Sequence, residues 1–118
     1  MNVFVYGTLL SGESNNYLLS KSILLGEEIL PGLEMHDLGM FPACVVSSDE
    51  NSVIGEVWEV TDEVFKRLDH LEGYPIFYDR IQVKTTFGQT WVYIREKART
   101  APVICTGNWR ERLRNEIK

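Results

Sequence analysis

The hydrophobic positions of this chain come in short runs separated by glycine, proline or polar punctuation, a pattern of many brief strands and few helices. Asn2 to Tyr6 is a β-branched and aromatic run that stops at Gly7, and it predicts a buried first strand. Ser14 to Leu19 predicts a short helix capped by Ser14, with Tyr17, Leu18 and Leu19 to pack. Pro31-Gly32 marks a turn between extended pieces at Glu28 to Leu30 and Leu33 to Leu38. Ala43 to Ser47 and Ser52 to Val60 predict strands around the polar turn Ser48 to Asn51. Tyr78 to Phe87 and Thr90 to Ile94 predict a hairpin closed near Gly88, with Ile81, Val83, Thr85 and Phe87 on one side of its first strand. Val103 to Cys105 predicts one more short strand, and Asn108 with Glu111 resembles a capping box that opens a final helix through Ile117.

The clearest helix runs from Thr61 to Leu71. Thr61 is its expected N-cap, and Asp62 and Glu63 fall in the first turn, where the helix dipole favours negative charge. Val60 and Phe65 are placed to staple the entry, while Val64, Phe65, Leu68 and Leu71 line one face. Gly73 suits the left-handed residue past the helix end, and Pro75 forbids continuation. Strands outnumber helices, with no repeat and no linker, so residues 1–118 are expected to form one α+β domain with much antiparallel pairing and scope for barrel closure.

Composition narrows the function classes. A chain of 118 residues buries about two thirds of its unfolded surface and folds without staples. A formal charge of -5 argues against a nucleic-acid partner. The late basic residues Arg95, Lys97, Arg99, Arg110, Arg112 and Arg114 are interleaved with Glu96, Glu111 and Glu116, as on a mixed solvated face. No apolar run approaches the ~20 residues of a membrane helix, so no membrane partner is expected. Cys44 and Cys105 lie in apolar runs and read as small buried hydrophobes, a disulfide being the other reading. With no basic, long-apolar start, the expected compartment is the cytoplasm.

Few side chains offer chemistry. His36 and His70 lack ligand-like spacing, so no metal is expected, and a Cys44–His36 nucleophilic pair has no supporting motif. "VFVYGTLLSG" (Val3 to Gly12) has neither the Gly-Lys-Ser/Thr of a P-loop nor a G-x-G-x-x-G. The Gly7-Thr8 bend can still form an anion site from backbone N–H groups and the Thr8 hydroxyl, suited to one carboxylate or oxyanion; from this stretch alone an ordinary turn is the favoured reading, because glycine so often punctuates strands. Glu72 falls at the end of the predicted helix, where the dipole is negative and Leu71, Gly73, Tyr74 and Pro75 offer little solvation. Both effects raise a carboxyl pKa toward that of a general base, whereas a frayed, solvent-facing end would leave it ordinary. Asp69 stands three residues earlier, and Arg80 pairs with Asp69, with Glu72 or with a substrate carboxylate; a structural pair is expected. Trp58, Trp91 and Trp109 read as packing residues.

Taken together, these places resemble the gamma-glutamylcyclotransferase-like superfamily, in its short gamma-glutamylamine-cyclotransferase branch. The likeness rests on VYGTL (Val5 to Leu9), Gly12-x-x-Asn15, GMFPA (Gly39 to Ala43), VIGEVWEV (Val53 to Val60), LDHLEGYP (Leu68 to Pro75), Tyr78-x-Arg80 and TGNW (Thr106 to Trp109), in the family's order. Leu10 departs from the basic residue that many relatives carry. The resemblance implies a small, mixed, largely antiparallel closed β-barrel with flanking helices, its pocket between the YGTL loop and the LEG helix end. It implies that a gamma-glutamyl amide is cut by the substrate's own α-amine, giving 5-oxoproline and a free amine, with no cofactor. By motif, Glu72 is the catalytic acid/base, Tyr6, Gly7, Thr8 and Leu9 grip the small-molecule gamma-glutamyl substrate, and Tyr78 supplies a pocket hydroxyl. The other reading from the residues is a non-catalytic module that binds a gamma-glutamyl or other small carboxylate ligand.

Overall fold

A computed structural model describes residues 1–113. In chain order its elements are β1 (Asn2–Val5), β2 (Ile23–Pro31), β3 (Leu33–Asp37), β4 (Pro42–Val46), β5 (Ser52–Glu59), α1 (Asp62–Glu72), β6 (Asp79–Thr85) and β7 (Gly88–Ile94). Short 3-10 turns occupy Asn16–Leu19, Glu96–Thr100 and Trp109–Glu111. Five strands form one mixed sheet in the order β2-β5-β1-β7-β6, and β3 and β4 form a separate antiparallel pair. β1 lies at the centre, antiparallel to β5 and parallel to β7. Its Val3, Phe4 and Val5 are all buried, as an unalternating apolar strand must be when both faces are covered.

No sheet closes into a barrel, which corrects the expected closed form. Near the tip of the β6–β7 hairpin, side chains link the free edges of β2 and β6. The Glu28 carboxylate accepts from the Thr86 N–H at 3.0 Å and its hydroxyl at 3.2 Å. The Phe87 ring fills the space beside Gly26, where a Cβ would lie 2.7 Å from Cζ, at a register shift in the β2–β5 ladder. A ladder needs strand backbones about 4.8 Å apart, and β2 and β6 form no such ladder.

Local rules account for α1. The Thr61 hydroxyl accepts from the Val64 N–H at 3.2 Å, and Gly73 ends the helix with φ 65°, its N–H returning to the Asp69 and His70 carbonyls. Val64, Phe65 and Leu68 are buried against the sheet, while Leu71 is exposed. Elsewhere the expectations need adjustment. The early 3-10 turn begins after Asn15 and has no side-chain cap, so Ser14 does not serve. Val103 forms an isolated bridge to His36 instead of a strand, and Cys105 is exposed whereas Cys44 is buried. Asn108 caps a three-residue 3-10 turn through the Arg110 N–H, and the expected continuation to Ile117 falls partly outside the described residues. Among the described residues no helix is long and apolar enough to cross a membrane.

Candidate active site

The loop after β1 and the end of α1 face one cavity of about 300 Å³. Tyr6, Gly7, Thr8, Leu9, Glu72 and Tyr78 all line it, so the six residues singled out in the sequence stand around one space. The β3–β4 turn supplies Met40 and Phe41, the start of β4 supplies Pro42, the segment after α1 supplies Phe77, and β7 supplies Tyr93. These additions, with Asn15, were not assigned to the site from sequence. The quoted Gly12-x-x-Asn15 and GMFPA motifs pointed to Asn15 and the turn, but nothing local marks Tyr93, an apolar-strand residue like its neighbours.

Asn15 holds the Thr8 loop in shape. Its backbone N–H donates to the Thr8 carbonyl at 2.8 Å and its side-chain amide donates to the Thr8 hydroxyl oxygen at 2.9 Å. The Thr8 hydroxyl proton is thereby left for another acceptor. Among the described residues, no protein group accepts from the Gly7, Thr8 or Leu9 N–H. Glycine at position 7 has a packing cause. A Cβ there would lie 2.6 Å from the Pro42 ring, so glycine lets the loop close on the start of β4 rather than merely admitting a ligand.

Opposite the loop stands Glu72. Burial among apolar and aromatic groups pushes its carboxyl from the usual range up to about 7, and no group among the described residues hydrogen-bonds its side chain. The three phenols around it have partners. Tyr6 donates to the Tyr93 carbonyl at 2.7 Å and accepts from the Cys44 N–H at 3.1 Å. Tyr78 donates to the Pro42 carbonyl at 2.7 Å, and Tyr93 to the Asp69 carboxylate at 2.6 Å. Burial is the first cause that pushes all three phenols well above their usual range; next comes Cys44 for Tyr6, the Glu72 charge for Tyr78, and the hydrogen bond and charge of Asp69 for Tyr93. They therefore keep their protons at neutral pH. Of the ionisable side chains lining the cavity, Glu72 is the one poised to exchange a proton there.

Asp69 and Arg80 form the structural pair expected of Arg80: the guanidinium bonds the Asp69 carboxylate and stacks over Tyr74 at 3.9 Å and Phe65 at 4.6 Å. His36 is buried and satisfied, bonded to the Ala101 carbonyl at 2.8 Å and to Glu34 at 2.9 Å.

A sequence-family model described as "Gamma-glutamyl cyclotransferase, AIG2-like" matches residues 3–111. A candidate gamma-glutamylcyclotransferase of Vibrio cholerae is 42% identical over 94% of this chain and 96% of its own. The gamma-L-glutamyl-butirosin B gamma-glutamyl cyclotransferase of Niallia circulans is 33% identical, covering 80% of this chain and 68% of its own. The crystal structure of an uncharacterized protein from Pyrococcus horikoshii superposes with a TM-score of 0.84 at 26% identity, covering 99% of this chain and 95% of the other. A match spanning nearly the whole chain, on the residues that build the cavity, means that this protein belongs to the gamma-glutamyl cyclotransferase, AIG2-like family, broadly in its short gamma-glutamylamine-cyclotransferase branch.

Proposed function

We propose that the protein cleaves gamma-glutamyl amides by turning the glutamyl group on itself, releasing 5-oxoproline and an amine. The observation that supports this reading is the shared cavity of about 300 Å³: it is lined both by Glu72, its carboxyl raised to about 7, and by Gly7, Thr8 and Leu9, whose N–H groups have no acceptor among the described residues. Its volume is at the lower end of the size of small-ligand sites.

The N–H groups of Gly7 to Leu9 hold the substrate's α-carboxylate or meet the charge growing on the amide oxygen. With the chain curled, the α-nitrogen attacks the γ-carbonyl carbon. The new C–N bond closes the lactam, and the bond to the leaving nitrogen breaks. Positioning of this kind contributes on the order of 7–11 kcal/mol, which is why no protein nucleophile is required. Protons balance within the step. The α-ammonium keeps one hydrogen as the lactam N–H and passes two, by way of Glu72, to the leaving nitrogen, which departs as an ammonium. The Tyr78 and Tyr93 oxygens, their own protons engaged, are left as acceptors toward the ammonium.

The Niallia circulans relative, whose name assigns it a gamma-glutamyl substrate, supports the substrate class. Release of 5-oxoproline from a panel of gamma-glutamyl amines, gamma-glutamyl dipeptides and glutathione tests the reading. A signal that Glu72→Gln abolishes while still binding the substrate supports it. Silence across the panel with tight binding of 5-oxoproline would leave the binding-module reading in its place.

A further inference from the structure

Glu56 is a carboxylate buried in β5, outside the cavity lining, and its Oε1 atom gathers three donors. The Ser11 N–H lies at 2.9 Å, the Ser11 hydroxyl at 3.1 Å and the Trp58 indole N–H at 3.2 Å. Its other oxygen, Oε2, faces the Arg110 guanidinium at 3.8 Å. Burying a carboxylate is costly, and two of the groups that offset the cost here are the loop after β1 and the C-terminal segment.

Arg110 reaches this place because the Thr106 to Trp109 motif docks beside β5. The Ile54 N–H donates to the Gly107 carbonyl at 2.8 Å. Gly107, with φ 66°, passes so close to β5 that a Cβ would lie 2.1 Å from the Ser52 carbonyl oxygen. Asn108 then accepts from the Arg110 N–H at 3.1 Å, and Trp109 is buried. The guanidinium bonds the Ser11 carbonyl and lies 4.0 Å from the Glu13 carboxylate. Ser11 is thus held at its N–H by Glu56 and at its carbonyl by Arg110. Of the five amides from Gly7 to Ser11, the Leu10 N–H goes to the Gly7 carbonyl at 3.0 Å and the Ser11 N–H to Glu56. The three left without an acceptor among the described residues, at Gly7, Thr8 and Leu9, belong to the cavity lining.

Resting on the cyclotransferase reading, we propose that Glu56 and Arg110 are positioning residues: they clamp the loop at Ser11 in the shape whose Gly7 to Leu9 amides grip the glutamyl carboxylate. Glu56→Met and Arg110→Met test it beside the wild type. Amide hydrogen exchange at Asn15 should be at least tenfold faster in both, with β1 and β7 unchanged. The Asn15 N–H keeps its Thr8 acceptor in either variant, so its exchange reports the loop itself. KM for the gamma-glutamyl amide that the wild type turns over best should rise about tenfold in each, with kcat within about threefold. Glu56→Gln, whose carbonyl takes the place of Oε1, should recover most of both losses. A merely weakened fold lowers apparent kcat at unchanged KM; that result, or unchanged exchange at Asn15, overturns the proposal. If the wild type releases no 5-oxoproline from any gamma-glutamyl amide, the cyclotransferase reading falls, and calorimetry with 5-oxoproline takes the place of KM. A tenfold weaker affinity in the variants then upholds the clamp, whereas equal affinity, or no binding by the wild type, removes it.

Discussion

Asp69 and Glu72 stand three residues apart near the end of the same helix, and their surroundings differ completely. Asp69 is held on two sides, by the stacked Arg80 guanidinium and by the Tyr93 hydroxyl at 2.6 Å. Glu72 has no such partner among the described residues, and burial among apolar groups pushes it up to about 7. A carboxylate surrounded by donors is a fixture of the fold, whereas one denied them is left with a raised pKa, as the proposed proton exchange requires. Tyr93 touches both roles, bonding Asp69 while lining the cavity that Glu72 faces.

Substitution should separate the two sharply. Glu72→Gln is expected to lower kcat for a responsive gamma-glutamyl amide by about 10²–10⁴-fold with little change in substrate affinity, measured by 5-oxoproline release and calorimetry. Asp69→Ala strands the Arg80 cation among aromatic rings and should cost about 2–4 kcal/mol in urea unfolding. Comparable losses of stability from both substitutions would erase the distinction.

The pH dependence sharpens the contrast further. Glu72 is raised from 4.5 to about 7 in the fold, so the folded state binds the extra proton between those values. Its contribution is fully present below about pH 4.5 and is lost as pH rises through about 7, a swing of about 3 kcal/mol. Glu72→Gln should therefore raise the melting temperature more at pH 8 than at pH 5. For the wild type, kcat/KM should fall as pH drops below about 7, because the protonated carboxyl no longer accepts a proton. Equal effects of Glu72→Gln on melting at the two pH values would place the carboxyl in ordinary solvent.

The smallest effect is expected at Arg80→Lys, which keeps the charge opposite Asp69 but loses the planar stack on Tyr74, at a cost of about 1 kcal/mol by thermal melting. A loss as large as that of Asp69→Ala would mean that stacking, not charge, fixes the pair.

Much of the candidate site was legible because its signals are local. Gly7 ends the first strand, Thr61 starts the helix and Gly73 stops it, which puts Glu72 at a helix end beside apolar neighbours. Tyr93 and Phe77 were not legible, since an aromatic in a strand or loop looks the same whether it faces a core or a cavity. Cys105 shows the converse: its apolar neighbours in sequence suggested burial, and it is exposed.

By itself the sequence determined the helix and its caps, the hairpin, the bend after β1 and the motifs of the family, because capping, periodicity and turn chemistry act within a few residues. Only the tertiary structure decided that β1 runs parallel to β7, that the sheet stays open with Phe87 and Glu28 bridging its edges, and that Pro42 closes on Gly7. It also decided which of two neighbouring carboxyls received donors. Those outcomes depend on contacts between residues far apart in the chain, where close packing and the competition for partners select one arrangement among several that local preferences allow.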